Sequence, residues 1–74
     1  MPSHKLDLSG LKCPLPVLRT RKALKGLAPG ARLEVICTDP LAAIDVPHLI
    51  GETGDHIEIL KQDAESIHFL IEKR

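Results

Sequence analysis

Leu6 and Leu8 alternate with Lys5, Asp7 and Ser9, so the chain opens on a period of two that predicts a half-buried strand ending at Gly10. The pattern then switches to the helical period. Over residues 14 to 28, Val17, Thr20, Ala23, Leu24, Leu27 and Ala28 gather on one arc and Arg19, Arg21, Lys22 and Lys25 oppose them, with Leu15 and Leu18 on the charged side. Gly26 or Gly30, with Pro29 between them, ends this helix, because glycine adopts the closing conformation and proline cannot extend the hydrogen-bond ladder. A second alternating run follows, in which Leu33, Val35 and Cys37 interleave with Arg32, Glu34 and Ile36.

Thr38-Asp39-Pro40 has the form of a helix start, with Asp39 as N-cap and Pro40 at the first helical position. Residues 41 to 50 are apolar enough to pack as a helix, although Pro47 either kinks it or delays its start to near Asp45. After Gly51 to Gly54, Ile57 and Ile59 alternate with His56 and Glu58. A turn at Gln62 to Glu65 leads to Ile67, Phe69 and Ile71, and the pair reads as a hairpin. The order strand, helix, strand, helix, strand, strand predicts a two-layer α/β sandwich: a four-stranded mixed sheet with both helices on one face, its first two strands parallel. Their carboxyl ends share one edge, which places Cys13, Cys37 and Asp39 near one another.

Seventy-four residues make a single domain, 1–74, too short for a multidomain enzyme. Phe69 is the one aromatic residue, so the core is aliphatic and no set of rings is available to stack nucleobases or a flavin. Ten basic and ten acidic residues cancel, and no global field steers the protein to nucleic acid or an anionic membrane. The charge is nevertheless uneven. Residues 1 to 37 hold seven basic against two acidic residues, a net of +5 that the remainder balances, and five of the basic residues lie between Lys12 and Lys25. That clustering predicts a docking surface for an acidic partner, with a solvated helix face as the plainer alternative. Met1-Pro2-Ser3-His4-Lys5 carries no apolar targeting segment, and apolar runs such as Leu41 to Ile44 are far short of the ~18 residues that span a bilayer. A cytoplasmic protein with two free thiols is expected.

Cys13-Pro14-Leu15-Pro16 is the most informative stretch. With Pro14 at the first helical position, Cys13 is the N-cap, and Pro16 still lies in the tolerant first turn. The helix macrodipole and Lys12 both favour a thiolate there. The prolines delete two backbone donors and leave the Leu15 amide as the main local hydrogen bond to sulfur, so the expectation is an accessible, reactive sulfur rather than a strongly acidified one. Hydrolytic catalysis needs a base and an oxyanion hole, and no histidine is placed by sequence to serve Cys13. A bare, accessible thiolate on a rigid cap suits thiol exchange, in which sulfur or a disulfide is accepted and handed to another protein. The alternative is a buried cysteine that only caps a helix.

The segment from Leu6 to Leu18, with Asp7, Gly10 and the Cys13-Pro14-x-Pro16 core in register, resembles the signature of the TusA (SirA-like) sulfur-carrier family. The likeness extends to Thr38-Asp39-Pro40, to Asp45-Val46-Pro47, to Gly54 before the third strand and to Phe69-Leu70-Ile71 in the last. It implies a persulfide carrier rather than an independent turnover enzyme: Cys13 takes sulfane sulfur from a cysteine desulfurase or a rhodanese and relays it for tRNA thiolation, cofactor sulfuration or sulfur oxidation. No cofactor is implied, and Cys37 lies outside the signature.

Cys37 alternates with Val35 and so reads as a small core residue; the sharper alternative is a resolving cysteine that closes on an oxidised Cys13. His4, His48, His56 and His68 lack metal-ligand spacing, no metal is expected, and surface positions on strands and loops account for them. Lys12, Arg19 and Lys22 with the apolar Leu15 and Leu18 form the candidate partner-binding face. A monomer is expected. Two other functional classes stand beside the carrier. One is a thiol redox or regulatory module resolved by Cys37 or glutathione. The other is RNA binding through the basic first helix, suggested by a general likeness of fold to the C-terminal domain of translation initiation factor 3 and opposed by the neutral charge and single aromatic.

Overall fold

The computed structural model describes residues 3–74, so Met1 and Pro2 of the opening segment lie outside it. The elements follow in the expected order: β1 (Ser3–Leu8), α1 (Leu15–Lys25), β2 (Arg32–Cys37), α2 (Ala42–Thr53), β3 (His56–Gln62) and β4 (Ile67–Glu72). The sheet runs β1-β2-β4-β3, with β1 parallel to β2 and the remaining pairs antiparallel. This is the expected mixed α/β sheet.

Its two central strands show why alternation was informative. Leu33, Val35 and Cys37 on β2 face Ile71, Phe69 and Ile67 on β4, and all six are buried. Both helices cover that face: Leu24 of α1 joins Ala42, Val46, Leu49 and Ile50 of α2 in one cluster around Phe69. Filling this aliphatic layer supplies most of the stabilisation, at roughly 1.5–3 kcal/mol for each large side chain removed from water. Among the described residues the opposite face is left uncovered, and it carries the ion pairs Lys5–Glu34 and Arg32–Glu72. At the β3 edge the register slips between Ile59 and Lys61, and Ile59 and Leu60 are exposed.

The helix limits differ from the sequence expectation. α1 starts at Leu15 rather than Pro14, because Leu18 N–H donates the first helical bond to the Pro14 carbonyl at 3.1 Å. Pro14 is the cap residue, Pro16 is the second helical position, and Cys13 stands one residue outside the cap. Of the arc residues Thr20 and Leu24 are fully buried, and Pro16, which the arc did not include, is buried with them along one stripe. α1 closes at Gly26, so Leu27 and Ala28 follow the helix instead of belonging to it.

α2 starts at Ala42, neither at Pro40 nor at Asp45, and runs through Pro47. The turn before it is tight: Ala42, Ala43 and Ile44 donate to the carbonyls of Asp39, Pro40 and Leu41 respectively. At its far end Gly54 adopts a φ of +79°, where a side chain would be strained, and donates its N–H to the Ile50 carbonyl.

Candidate functional site

Parallel pairing sets Leu8 opposite Cys37, so the loops after β1 and β2 leave the sheet side by side. They are tied at two points. Gly10 N–H donates to the Thr38 hydroxyl at 2.8 Å, and Cys13 N–H donates to Asp39 Oδ2 at 2.6 Å. The other oxygen of Asp39 accepts the Leu41 N–H at 3.0 Å. One carboxylate therefore reaches across to hold the backbone of Cys13, but it is not the expected N-cap: that position falls to Leu41, which makes no side-chain cap bond, and Asp39 closes a turn two residues earlier on the Leu41 amide. Accepting the Leu41 and then the Cys13 amide holds the Asp39 carboxyl below its ordinary value.

The thiol itself points to a second acid. Cys13 Sγ, exposed, donates to Asp45 Oδ2 at 3.2 Å. This reverses the electrostatic expectation. The Asp45 hydrogen bond, followed by local desolvation and the charges of Asp45 and Asp39, pushes the Cys13 thiol above its ordinary value, so the resting form is protonated sulfur and not thiolate. The helix start explains why its dipole does not compensate. Pro14 and Pro16 have no N–H, and the Leu15 N–H donates to the Lys12 carbonyl at 2.9 Å rather than to sulfur. With those donors removed or engaged, the positive end of α1 has little to offer an anion.

A shallow recess of about 230 Å³ lies beside the sulfur, lined by Cys13, Pro14, Val17 and Arg21 on one side and Asp45, His48, Leu49 and Glu52 on the other. Asp45, His48 and Glu52 fall on one face of α2 because they are spaced three and four residues apart. His48 Nε2 pairs with Glu52 Oε1 at 3.1 Å. His48 therefore stands on a helix facing the thiol's recess, not on a strand or loop as expected from sequence. Arg21, not Arg19 or Lys22, is the α1 cation that lines this recess; Arg19 and Lys22 are exposed on the helix.

The remaining sequence candidates divide. Leu15 and Leu18 are exposed, as a partner-binding role requires, whereas Pro16 is buried and acts through packing. Lys12 lies by the tie between the loops, in a second recess with Gly10, Leu11, Thr38, Asp39 and Pro40. Two further large apolar side chains, Leu41 and Ile44, are exposed at the start of α2, where the sequence had suggested uniform packing. The helical period carries that signal: with Ala42, Val46, Leu49 and Ile50 inward, positions 41 and 44 point elsewhere. Cys37 is fully buried in the core, and burial, then the Asp39 charge, pushes its thiol up to about 11. No exposed second thiol stands ready to resolve Cys13 among the described residues. Nor does any helix among them have the length and apolarity to cross a membrane.

Comparison with known proteins now bears on this site. A family model described as sulfurtransferase TusA matches residues 4–73. The chain is 42% identical over 70 residues to the sulfur carrier protein TusA of Allochromatium vinosum, covering 95% of this chain and 92% of that protein. The crystal structure of a SirA-like protein from Desulfitobacterium hafniense is similar with a TM-score of 0.82 at 27% identity, covering 93% of this chain and 95% of that one. These matches run nearly end to end, so the shared feature is the whole fold and not an isolated Cys-Pro-x-Pro motif.

Proposed function

The chain belongs to the TusA sulfurtransferase family, and from that premise we propose that it is a sulfur carrier whose Cys13 accepts sulfane sulfur as a persulfide and relays it to an acceptor protein. The observation that carries this reading is an exposed thiol whose backbone is fixed by Asp39 at the carboxyl edge of the two parallel strands. Sulfur transfer between proteins needs such a thiol. The donor's persulfide must reach Cys13 Sγ directly, as the exposure of this thiol allows. Pro14 and Leu15 set the start of α1 behind the sulfur, and Pro16 anchors that turn in the core.

The donor is a cysteine desulfurase or a rhodanese, and the acceptor serves tRNA thiolation, cofactor sulfuration or sulfur oxidation. Both dock on the face carrying Lys12, Leu15, Leu18, Arg19 and Lys22, where cations steer an acidic partner and exposed leucines supply apolar contact. In this reading residues 1–74 work as one monomeric, cytoplasmic domain that does not engage nucleic acid directly. The test is intact mass spectrometry of the wild type, Cys13→Ser and Cys37→Ser after incubation with either class of donor and its sulfur source. A reductant-labile gain of one sulfur atom, lost only in Cys13→Ser, is the expected result; sulfur that follows Cys37, or no gain from either donor, overturns it.

A further inference from the structure

Cys13 is held by two carboxylates with different tasks. Asp39 takes its backbone N–H, and Asp45 takes its thiol proton. A carboxylate in that second position is a poor device for making a thiolate, since it penalises the charge it faces. It is a good device for receiving the proton during attack. Building on the persulfide reading of Cys13, we propose that Asp45 is a catalytic residue of sulfur transfer, accepting the Cys13 proton on loading and returning it on discharge.

The step balances without any added oxidant or reductant. On loading, the Cys13 S–H bond breaks toward Asp45 Oδ2 while sulfur attacks the outer sulfur of the donor's cysteine persulfide. A Cys13–sulfur bond forms, the donor's own S–S bond breaks, and its electron pair leaves on the donor's inner sulfur as a thiolate. Cys13 is oxidised to the persulfide, and the donor persulfide is reduced to the thiolate. On discharge, an acceptor thiolate attacks the outer sulfur and Cys13 departs with the electron pair. A bare thiolate leaving beside a carboxylate would be opposed by its charge, and the proton on Asp45 removes that opposition.

The surroundings select this acid from those nearby. Of the charged groups around the sulfur, Arg21, His48 and Glu52 line the recess, Lys12 stands in the preceding loop, and Asp39 is committed to two backbone amides. His48 is paired with Glu52. Asp45 alone among the described residues accepts a hydrogen bond from the thiol. The position also explains what the helix start left unsolved: with the prolines having stripped its donors, the site's proton chemistry falls to α2 rather than α1.

The proposal separates two rates that a purely structural role would move together. In Asp45→Asn the negative charge is gone and the amide can donate to sulfur, so alkylation of Cys13 by iodoacetamide at neutral pH speeds up and its pH profile shifts to lower pH. Loading from a persulfidated donor protein, read as kcat at saturating donor by intact mass, falls by on the order of 100-fold. Asp45→Glu, which keeps the carboxylate on a longer stem, restores part of that rate. Faster alkylation with undiminished kcat overturns the proposal, as does a loss confined to KM, which would make Asp45 a docking residue. If both rates fall and Asp45→Glu restores neither, its role is structural. Wild-type protein that fails to load at all overturns the persulfide reading itself.

Discussion

The two cysteines occupy neighbouring ends of one sheet edge and live under opposite rules. Cys37 closes β2 inside the aliphatic layer, where burial suppresses ionisation and its partners are Ile67 and Leu8 across the strands. Cys13, one loop away, is exposed and suppressed by something quite different, a hydrogen bond to a carboxylate. Burial is a property of the whole fold and yields only when the fold opens. A hydrogen bond is a local property that a single substitution, or an incoming partner, can change. Protonation at rest is therefore permanent for one sulfur and conditional for the other.

The largest effect that could break this contrast is kinetic. In the folded protein Cys13 alkylates directly, while Cys37 waits for opening and reacts at least ~1,000-fold more slowly, given typical domain stabilities. Peptide mapping after a short thiol-labelling pulse checks this, and similar labelling of the two would show that the core around Cys37 is open. Next in size is stability. Cys37→Ser places a hydroxyl among apolar side chains and should cost about 1–3 kcal/mol in urea unfolding, whereas Cys13→Ser, at an exposed site, should stay within about 0.5 kcal/mol.

A smaller effect sharpens the surface half of the comparison. Arg19→Glu combined with Lys22→Glu is expected to slow sulfur acceptance from an acidic donor severalfold at low salt, with the gap narrowing as salt screens the charges and with no change in thermal unfolding. Equal transfer rates would move the docking face elsewhere, Leu41 and Ile44 being the exposed apolar residues to substitute next. The smallest effect concerns Asp39. Its pKa is depressed in the folded protein, so its hold on the Cys13 loop is complete above the unfolded value and is lost only as pH falls through the lower folded one. The Cys13 amide resonance should therefore keep its position down to the usual aspartate pKa of about 3.9 and shift below it.

Most of the scaffold was legible because its signals are local. The alternation in β2 and β4 and the stripe on α1 depend on residues a few positions apart, and the structure retains them. The helix start was off by one because two prolines each satisfy the rule for a first turn, and only the bond from Leu18 to Pro14 decides between them. The motif drew attention to Cys13, but the ionisation state came out reversed. Macrodipole and Lys12 are sequence neighbours of the sulfur, whereas Asp45 is 32 residues away and enters only when α2 packs beside α1. Asp39 had been read as the helix cap, a position that Leu41 takes instead, and its carboxylate was not foreseen as the anchor of another loop. Asp45 and His48 share one face of α2 by their spacing, but His48 had been read as a strand or loop residue, and no neighbour for that face was foreseen.

That 32-residue separation also sets an order in time. A ribosome delivers the chain from its N-terminus at about 5–20 residues per second, so Cys13 is made before either acid that governs it. Until the segment holding Asp39 and Asp45 has emerged and α2 has seated, Cys13 is an ordinary cysteine on a nascent chain, without the proton partner of the finished protein. Any truncated product that stops before Asp45 carries the motif without the hydrogen bond that holds its thiol proton.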